Sequence, residues 1–594
     1  MIAVLLDWIY IFIMTVLAGM ICLQILKKIG VGIPKISMTG CSLAGVAVIT
    51  VHTQVFSIAA KIGAVAHLLF WGILLAGIIC FRSTFTLWIK ELTDKRRRIG
   101  IWSVLFYSGL ILVVAFFTSR GQFHTDTNIY HAANIRLYEE YGLLKGMANL
   151  QLHYGYNSSA LAFASFFSMK WLFPVPLHTT SGYFLMLSGV WACGMLSGFM
   201  SRKRHLTDGA VLAALVYLLV NVTGAMSPAT DYPTMVFCLM LMAEWISVYE
   251  NRLKSFQSQV WTEEERTVLY GLLSVGAVFA VTMKLSAAGL VILAIAPAME
   301  LIRRKKGKEI ITLILCGLLC VIPWLVRNIL ITGWLVYPFG GIDLFQVAWK
   351  VPKPYLQHDA DQIAVWGKCL FDVSMKDLSV KEWFPIWMDN QERYAKYMMF
   401  SAIMGWGLLG LLGVRRLFAG KEKASRKEGT QMVDRSAFIA FLLADLACLA
   451  VWFVMAPFIR YGLTFLILIP GLALGMWMED LRCGRLHGFF SLAGGTLVAF
   501  ILIGMGPYLD HYITDAGVFA KQTLTEPYYL MQKDYDHVET NTITINGIDF
   551  SYPVSGEINS YYEAPGTCYD DMLRRSTLAG DDLKDGFVPL PIAE

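Results

Sequence analysis

IWSVLFYSGLILVVAFFTSRGQFHTDTNIYH, residues 101–131, decides the class of this chain. Ile101 to Thr118 is apolar enough to cross a bilayer, and after Ser119 to Phe123 comes HTDTNIYH, with two histidines, an aspartate and an asparagine. A span that empties straight into ionisable residues belongs to a membrane protein with polar groups held at the bilayer surface.

The rest of the chain agrees. Its 594 residues are 56% hydrophobic and only 16% charged, with a mean hydropathy of +0.55. That is far more apolar surface than a soluble fold of this size buries. One crossing needs about 20 apolar residues. Fourteen candidates are centred near residues 13, 48, 73, 108, 190, 215, 241, 275, 294, 320, 405, 446, 470 and 497. The expectation is an all-α polytopic membrane protein of about 14 transmembrane helices. No cleavable signal peptide is expected, because Asp7 interrupts the start and no basic region precedes it.

Cationic clusters set the orientation, since cytoplasmic loops near span ends retain Lys and Arg. Lys90 with Lys95 to Arg98, Arg202 to Arg204, Arg303 to Lys308, and Arg415 to Lys427 fall on one side, as do Lys27, Lys28, Arg482 and Arg485. The segment after Gly506 has 15 acidic and 5 basic residues, 10 negative in net, which suits the outer face. The overall charge of +5 therefore implies no nucleic-acid partner. Both termini are expected outside. Parity then allows only one of the apolar runs near 166 and 190 to cross. Ser159 to Phe173 is read as interfacial or re-entrant, being short and broken by Lys170, Pro174 and Pro176.

Three parts follow: an N-terminal helical module, 1–98; a transmembrane core, 99–506, with external loops 119–157 and 332–396; and an external tail, 507–594. Ile129 to Tyr141 has helical periodicity and is read as a helix lying flat on the membrane. In the tail, Thr542 to Ile545 alternates into Asn546-Gly547 and Ile548 to Phe550, the signature of a hairpin in a small β-containing or α/β unit. The 11 cysteines show no CxxC and no zinc spacing. Cys369 and Cys568 alone fall in external segments, which makes them a candidate disulfide.

Asp126 leads the residues that could carry chemistry: beside His124, Asn128 and His131 it could accept a proton or bind a metal, or it could simply cap the helix that follows. Asp231, in SPATDYP (227–233), is either a second carboxylate at the surface or a solvated turn residue. The histidines are either polar interface residues or ligands. Lys284, Arg327 in PWLVRN (323–328) and Arg460 in APFIRYG (456–462) interrupt apolar sequence at one depth. Together they suggest a pocket for an anion such as phosphate. Sequence inspection finds no mid-membrane charge of the kind a transporter needs, and no inverted repeat.

This arrangement resembles the GT-C class of membrane glycosyltransferases, relatives of the protein O-mannosyltransferases and aminoarabinose transferases. Asp126 after a span matches their acidic first loop, and WLVRNILITGWLVYP (324–338) is similar to their Arg-Asn, Gly and Tyr-Pro pattern. YEEYGLLKGMANLQLHYGYNSS (138–159), FGGIDLFQVAWKVPKP (339–354), APFIRYG, and YYEAPGTC with LKDGF (561–568, 583–587) also look similar to an uncharacterised bacterial family of large multi-pass proteins. The resemblance implies a GT-C-like enzyme of the bacterial plasma membrane. It would move a sugar from a polyprenyl-phosphate donor, among membrane lipids, to a glycan, lipid or protein acceptor. Asp126 and Asp231 would be catalytic; Lys284, Arg327 and Arg460 would hold the donor phosphate; His124, Asn128, His131, Asn328, Tyr337 and Tyr461 would contact substrate. A divalent cation, Mg or Mn, would be held by Asp126 if by any residue. Two departures stand: Thr127 and Asn128 replace the acidic pair common in that class, and four spans precede the acidic loop where one is usual. The alternative is a transporter or flippase of a lipid-linked or polyanionic substrate.

Overall fold

The computed structural model describes residues 1–94, 101–122, 124–199, 205–250, 261–420, 432–481, 489–514, 516–525, 527–559 and 561–591. Every one of the fourteen apolar centres lies inside a helix. Ten helices among the described residues are long and apolar enough to cross a membrane, or eleven if Ala64–Cys80 and Arg82–Lys90, bent by 83°, form one broken span. Ile101–Arg120 and Phe489–Thr514 contain shorter apolar stretches, Val104–Arg120 and Leu492–Pro507. The molecule is thus a mainly helical, multi-pass membrane protein.

Its helices alternate in direction, so the bundle has two chemically distinct ends. One carries Lys27, Lys28 and the turn Arg303 to Lys308, where Arg304 pairs with Glu263 at 2.8 Å and Lys306 pairs with Glu264. Most of the other basic residues that set the expected orientation lie outside the described residues: Lys95 to Arg98, Arg202 to Arg204, Arg482, Arg485 and the bulk of Arg415 to Lys427. The opposite end carries Asp126, Asp231, Lys284 and Arg460.

Small residues let the spans approach where lipid gives no hydrophobic drive. A Cβ placed on Gly209 of helix Leu206–Asn221 would lie 2.0 Å from the carbonyl oxygen of Gly471 in helix Ile459–Leu481. Gly19 and Gly45 do the same between Ile2–Lys28 and Met38–Ala59, at 1.8 and 1.7 Å from backbone oxygens. Met38–Ala59 also packs on Ser159–Phe167 and Gly307–Thr332. The N-terminal helices therefore share one core with the later spans and with Phe550 and Phe587 of the tail.

Ser159–Phe167 is a helix of nine residues, all buried. At 1.5 Å per residue it extends roughly 13 Å, too little to cross. It lies inside the protein, not at the lipid interface. The helix expected to lie flat on the membrane begins with a π-helical turn, Thr127–His131, and continues as Ala132–Glu140. Both of its faces are covered by protein, which corrects the interfacial reading. Arg327 stacks on Tyr138 from the core side, its guanidinium carbon 4.7 Å from the ring centroid. From the other side Tyr561 of the tail donates to Glu139.

The hairpin forms as read: Thr540–Ile545 pairs antiparallel with Ile548–Pro553 across Asn546 and Gly547, both left-handed at φ 51° and 80°. A second small pair joins Ser576–Leu578 to Phe587–Pro589. The tail is stitched to the first loop by backbone and side-chain bonds. Asn559 N–H donates to the Asn128 carbonyl at 2.8 Å, Phe587 N–H to Lys145 at 2.9 Å, and Tyr154 O–H to Gly566 at 3.0 Å. Cys369 and Cys568 are both free thiols, so the candidate disulfide is not formed. Cys369 lies beside Gln391, whereas the Cys568 amide donates to Gln151.

Two predictions follow from this packing. Gly209→Val forces apart two backbones in contact and should abolish accumulation of folded protein, whereas Gly407→Val, with nothing within 4 Å, should be tolerated; size-exclusion profiles in detergent compare them. Burial lifts the Glu139 carboxyl from its ordinary 4.5 to about 7. A raised carboxyl keeps its proton longer in the docked state, so its contribution is full below about pH 4.5 and is lost as pH rises through about 7. Limited proteolysis of the tail should accelerate over that window in wild type, and Glu139→Gln should remove that component; an identical profile in the variant would refute it.

Candidate functional site

After helix Ile101–Arg120 the chain reverses through Gly121 and Gln122, both left-handed at φ 60° and 62°. This sets Asp126 at the mouth of the bundle. It occupies the N-cap position of the π-turn, yet its side chain makes no capping bond. It points instead to Arg460, whose Nη2 donates to Asp126 Oδ2 at 3.0 Å. The Nε of the same guanidinium lies 2.8 Å from Asp231 Oδ2, and Lys284 pairs with Asp231 Oδ1. Four residues far apart in sequence thus form one alternating chain: Asp126, Arg460, Asp231, Lys284.

Each is placed by a helix end. Asp231 is the first residue of Asp231–Tyr249, Lys284 separates Glu263–Met283 from Leu285–Ala294, and Arg460 opens Ile459–Leu481. Asp231 is only 2% exposed, which removes the solvated-turn reading. The side chains of Asp126 and Arg460 are each 27% exposed, so the chain runs from buried Asp231 towards water. Tyr461 lies under the cations: Lys284 Nζ is 3.5 Å and the Arg460 guanidinium 5.0 Å from its ring centroid. His124 Nδ1 accepts the Asp126 N–H at 3.1 Å. Burial, reinforced by Arg460, holds the His124 pKa below its usual value, in keeping with an acceptor nitrogen.

The three cations expected in one pocket separate. Lys284 and Arg460 converge, but Arg327 is wholly buried elsewhere: its Nε donates to Asn157 at 3.0 Å, and its Nη1 to Ser57. Amide and hydroxyl oxygens and the Tyr138 face stabilise this guanidinium, not a carboxylate. Asn328 bonds Asn157 and the Leu335 carbonyl, at 2.8 and 3.0 Å, and is likewise structural. The converged cations do not form a vacant anion pocket either, because two carboxylates already neutralise them. Nor does the donor set fit a divalent cation: both carboxylates are engaged by nitrogen cations, and among the described residues no three His, Cys, Asp or Glu groups converge.

Beside this chain lies a cluster of aromatic side chains that sequence reasoning missed in part. Tyr130, on the π-turn four residues past Asp126, stacks on His153 with centroids 5.2 Å apart, and Tyr156 follows at 5.6 Å. Tyr337 lies 6.0 Å from Tyr156. The Tyr156 hydroxyl donates to Asp359 at 3.0 Å. Burial raises the Asp359 pKa and lowers that of the His131 ring to about 3. LHYGYN shows its aromatics openly, but nothing in PYLQHDADQ singles out Asp359 from neighbouring charges.

Two further acids correct the reading of an uncharged membrane interior. Asp445, within the candidate span Asp434–Met455, is fully buried, and neither carboxyl oxygen makes a hydrogen bond among the described residues. One turn away, Ala447 and Cys448 pack on Gly289 of Leu285–Ala294, which is wound as 3-10 helix over ten residues. Glu244 lines a largely apolar cavity of about 750 Å³ with Leu26, Val48, Trp191 and Cys320. That cavity lies towards the basic end. Glu244 and Asp231 are thirteen residues apart on one helix, roughly 20 Å at 1.5 Å per residue.

A family model described as a domain of unknown function, DUF8201, matches residues 1–467, which span all four charged residues of the chain and stop before the tail. No curated protein and no solved structure matches the sequence.

Proposed function

The chain belongs to the DUF8201 family, a domain of unknown function, and from its own site we propose that it is a GT-C-like glycosyltransferase. It moves a sugar from a polyprenyl-phosphate donor to a glycan, lipid or protein acceptor at the outer face of a bacterial plasma membrane. The observation that carries this reading is the alternating chain Asp126, Arg460, Asp231, Lys284, with Asp231 buried between the two cations and Asp126 and Arg460 partly open to water. The basic end then faces the cytoplasm, where Lys and Arg are retained, and both termini lie outside with the site. The further apolar helices complete fourteen crossings.

The pairing dictates an order of events. With no unpaired cation, a donor phosphate gains a contact only by displacing a carboxylate. Arg460 is the group to turn, because its bond to Asp126 lies at the exposed end and a guanidinium can meet phosphate bidentately. Turning away releases Asp126 to act as base. The acceptor hydroxyl attacks the anomeric carbon and its proton passes to Asp126. The bond from that carbon to the phosphate oxygen breaks, and the prenyl phosphate leaves with the electron pair, its charge met by Arg460 and Lys284. Asp231 stays between the cations and positions both.

The two kinds of variant should therefore fail differently. Arg460→Ala should weaken binding of a polyprenyl-phosphate sugar by about tenfold or more, the worth of a charge-assisted hydrogen bond. Asp126→Asn should bind the donor at least as well and transfer at least about a hundredfold more slowly. Binding and transfer assays on purified protein read both. Full transfer by Asp126→Asn, or no wild-type affinity for any lipid-linked sugar, would sink the proposal.

A second reading, a transporter or flippase of a lipid-linked or polyanionic substrate, is favoured by Asp445 and the 3-10 stretch beside it. Buried acids and irregular helices inside a membrane mark transport pathways. Reconstituted vesicles separate the two. On the transferase reading Asp445→Asn keeps transfer intact. If it abolishes movement of a lipid-linked sugar across the vesicle wall, the transport reading takes its place.

A further inference from the structure

Three segments meet beside Asp126: the π-turn with Tyr130 and His131, the 3-10 turn Leu152–Tyr156, and helix Lys353–Gly367 with Asp359. Tyr130, His153 and Tyr156 are partly exposed, so ring surface reaches solvent, while His131 and Asp359, on the first and third segments, are each 1% exposed. Tyr130 and His153 are nearly parallel, 26° apart in plane, and Tyr156 meets Tyr130 edge-on at 83°. Gln151 donates to the Ile129 carbonyl at 3.1 Å and ties the two turns together.

His131 is unsatisfied to a degree that native interiors seldom allow: neither ring nitrogen makes a hydrogen bond among the described residues, nor does Asn128 Oδ1. Tyr337 sits beside the same carboxylate that accepts from Tyr156. Donors and acceptors are mixed, and no unpaired cation stands among them. Aromatic faces backed by such groups match one ligand chemistry: a ring with apolar C–H faces and hydroxyls around its edge. An anionic ring would meet the carboxylate of Asp359, with those of Asp126 and Asp231 near Tyr130.

We propose that these rings line a crevice that binds a neutral pyranose of the acceptor, stacked on Tyr130, His153 and Tyr156 with its hydroxyls turned to Asp359, Tyr337 and His131, so that the acceptor is a glycan free of uronic acid at that position. The role of acceptor rests on the transferase reading; the binding itself does not. Asp359 acts here as a positioning residue as well, fixing Tyr156 through its hydroxyl.

Saturation-transfer NMR on the purified full chain in lipid nanodiscs tests it, with methyl glucoside, methyl galactoside, methyl mannoside, methyl N-acetylglucosaminide, methyl glucuronide and glycerol as probes. At least one neutral glycoside should receive saturation through its ring protons, and glucuronide and glycerol should not. Tyr156→Ala should weaken that glycoside by about tenfold, within the worth of a stacking contact. Tyr156→Phe and Asp359→Asn, which keep the rings, should lose less. No binding by any neutral glycoside, preference for glucuronide, or unchanged affinity in Tyr156→Ala would overturn the crevice. The two proposals fail separately. Glycoside binding lost in Tyr156→Ala, with no affinity for lipid-linked sugar, removes the transferase and leaves the crevice; undiminished transfer by Tyr156→Ala does the reverse.

Discussion

A charge at the end of a membrane span must find a partner or remain in water, and this protein meets that constraint by alternating signs across four segments. Asp126 comes from a loop and Asp231, Lys284 and Arg460 from three helix ends, yet each charge touches only the opposite sign. Removing one member of such a chain strands another in a poorly solvated place, at a cost of about 3 to 5 kcal/mol where the pair is buried. The chain therefore fixes how the first loop meets the spans. The π-turn, Tyr130 and the helix Ala132–Glu140 take their positions from Asp126, and the tail closes over that helix in turn.

Much of this was legible in the sequence because each signal was local. Apolar runs marked helices, Asn546-Gly547 marked the hairpin, and a lone charge in apolar sequence marked a residue with a structural duty. That last rule singled out Lys284 and Arg460, which meet at Asp231, a carboxylate read separately from the short turn SPATDYP. It also singled out Arg327, which proved to be held by Asn157, Ser57 and a tyrosine face. The rule detects desolvation of a charge, not the identity of what compensates it. A guanidinium spreads its charge over a plane that stacks and donates, so it can be buried without an acid; from sequence the two cases look the same.

The misses share a cause of the opposite kind. The helix after Asp126 read as interfacial because one face is apolar, and nothing nearby announces that residues some 400 positions later cover the other face, as in Tyr561 to Glu139. Asp445 in FLLADLACLAV and Glu244 in LMLMAEWISV each sit in runs so apolar that one acid leaves the hydropathy of a span intact. Asp359 lies on a polar helix among other charges, where only the fold tells a buried carboxylate from a solvated one.

Charge neutrality at the site also shapes what the protein can bind. A pocket of free cations would hold any phosphate, including abundant soluble ones, and would be occupied at rest. Here the cations are already satisfied, so an anion must offer more than charge to displace Asp126 from Arg460, and an anchor in the bilayer is one source of that surplus. On the proposed transferase reading, the same exchange ties binding to chemistry. The carboxylate becomes basic only once its guanidinium has turned to another oxygen, which leaves water a poor competitor while the site is empty. The short helix bearing Asp126 is clasped by Arg460 near one end and by the tail near the other. On that reading, movement of the arginine is felt along the π-turn that carries Tyr130.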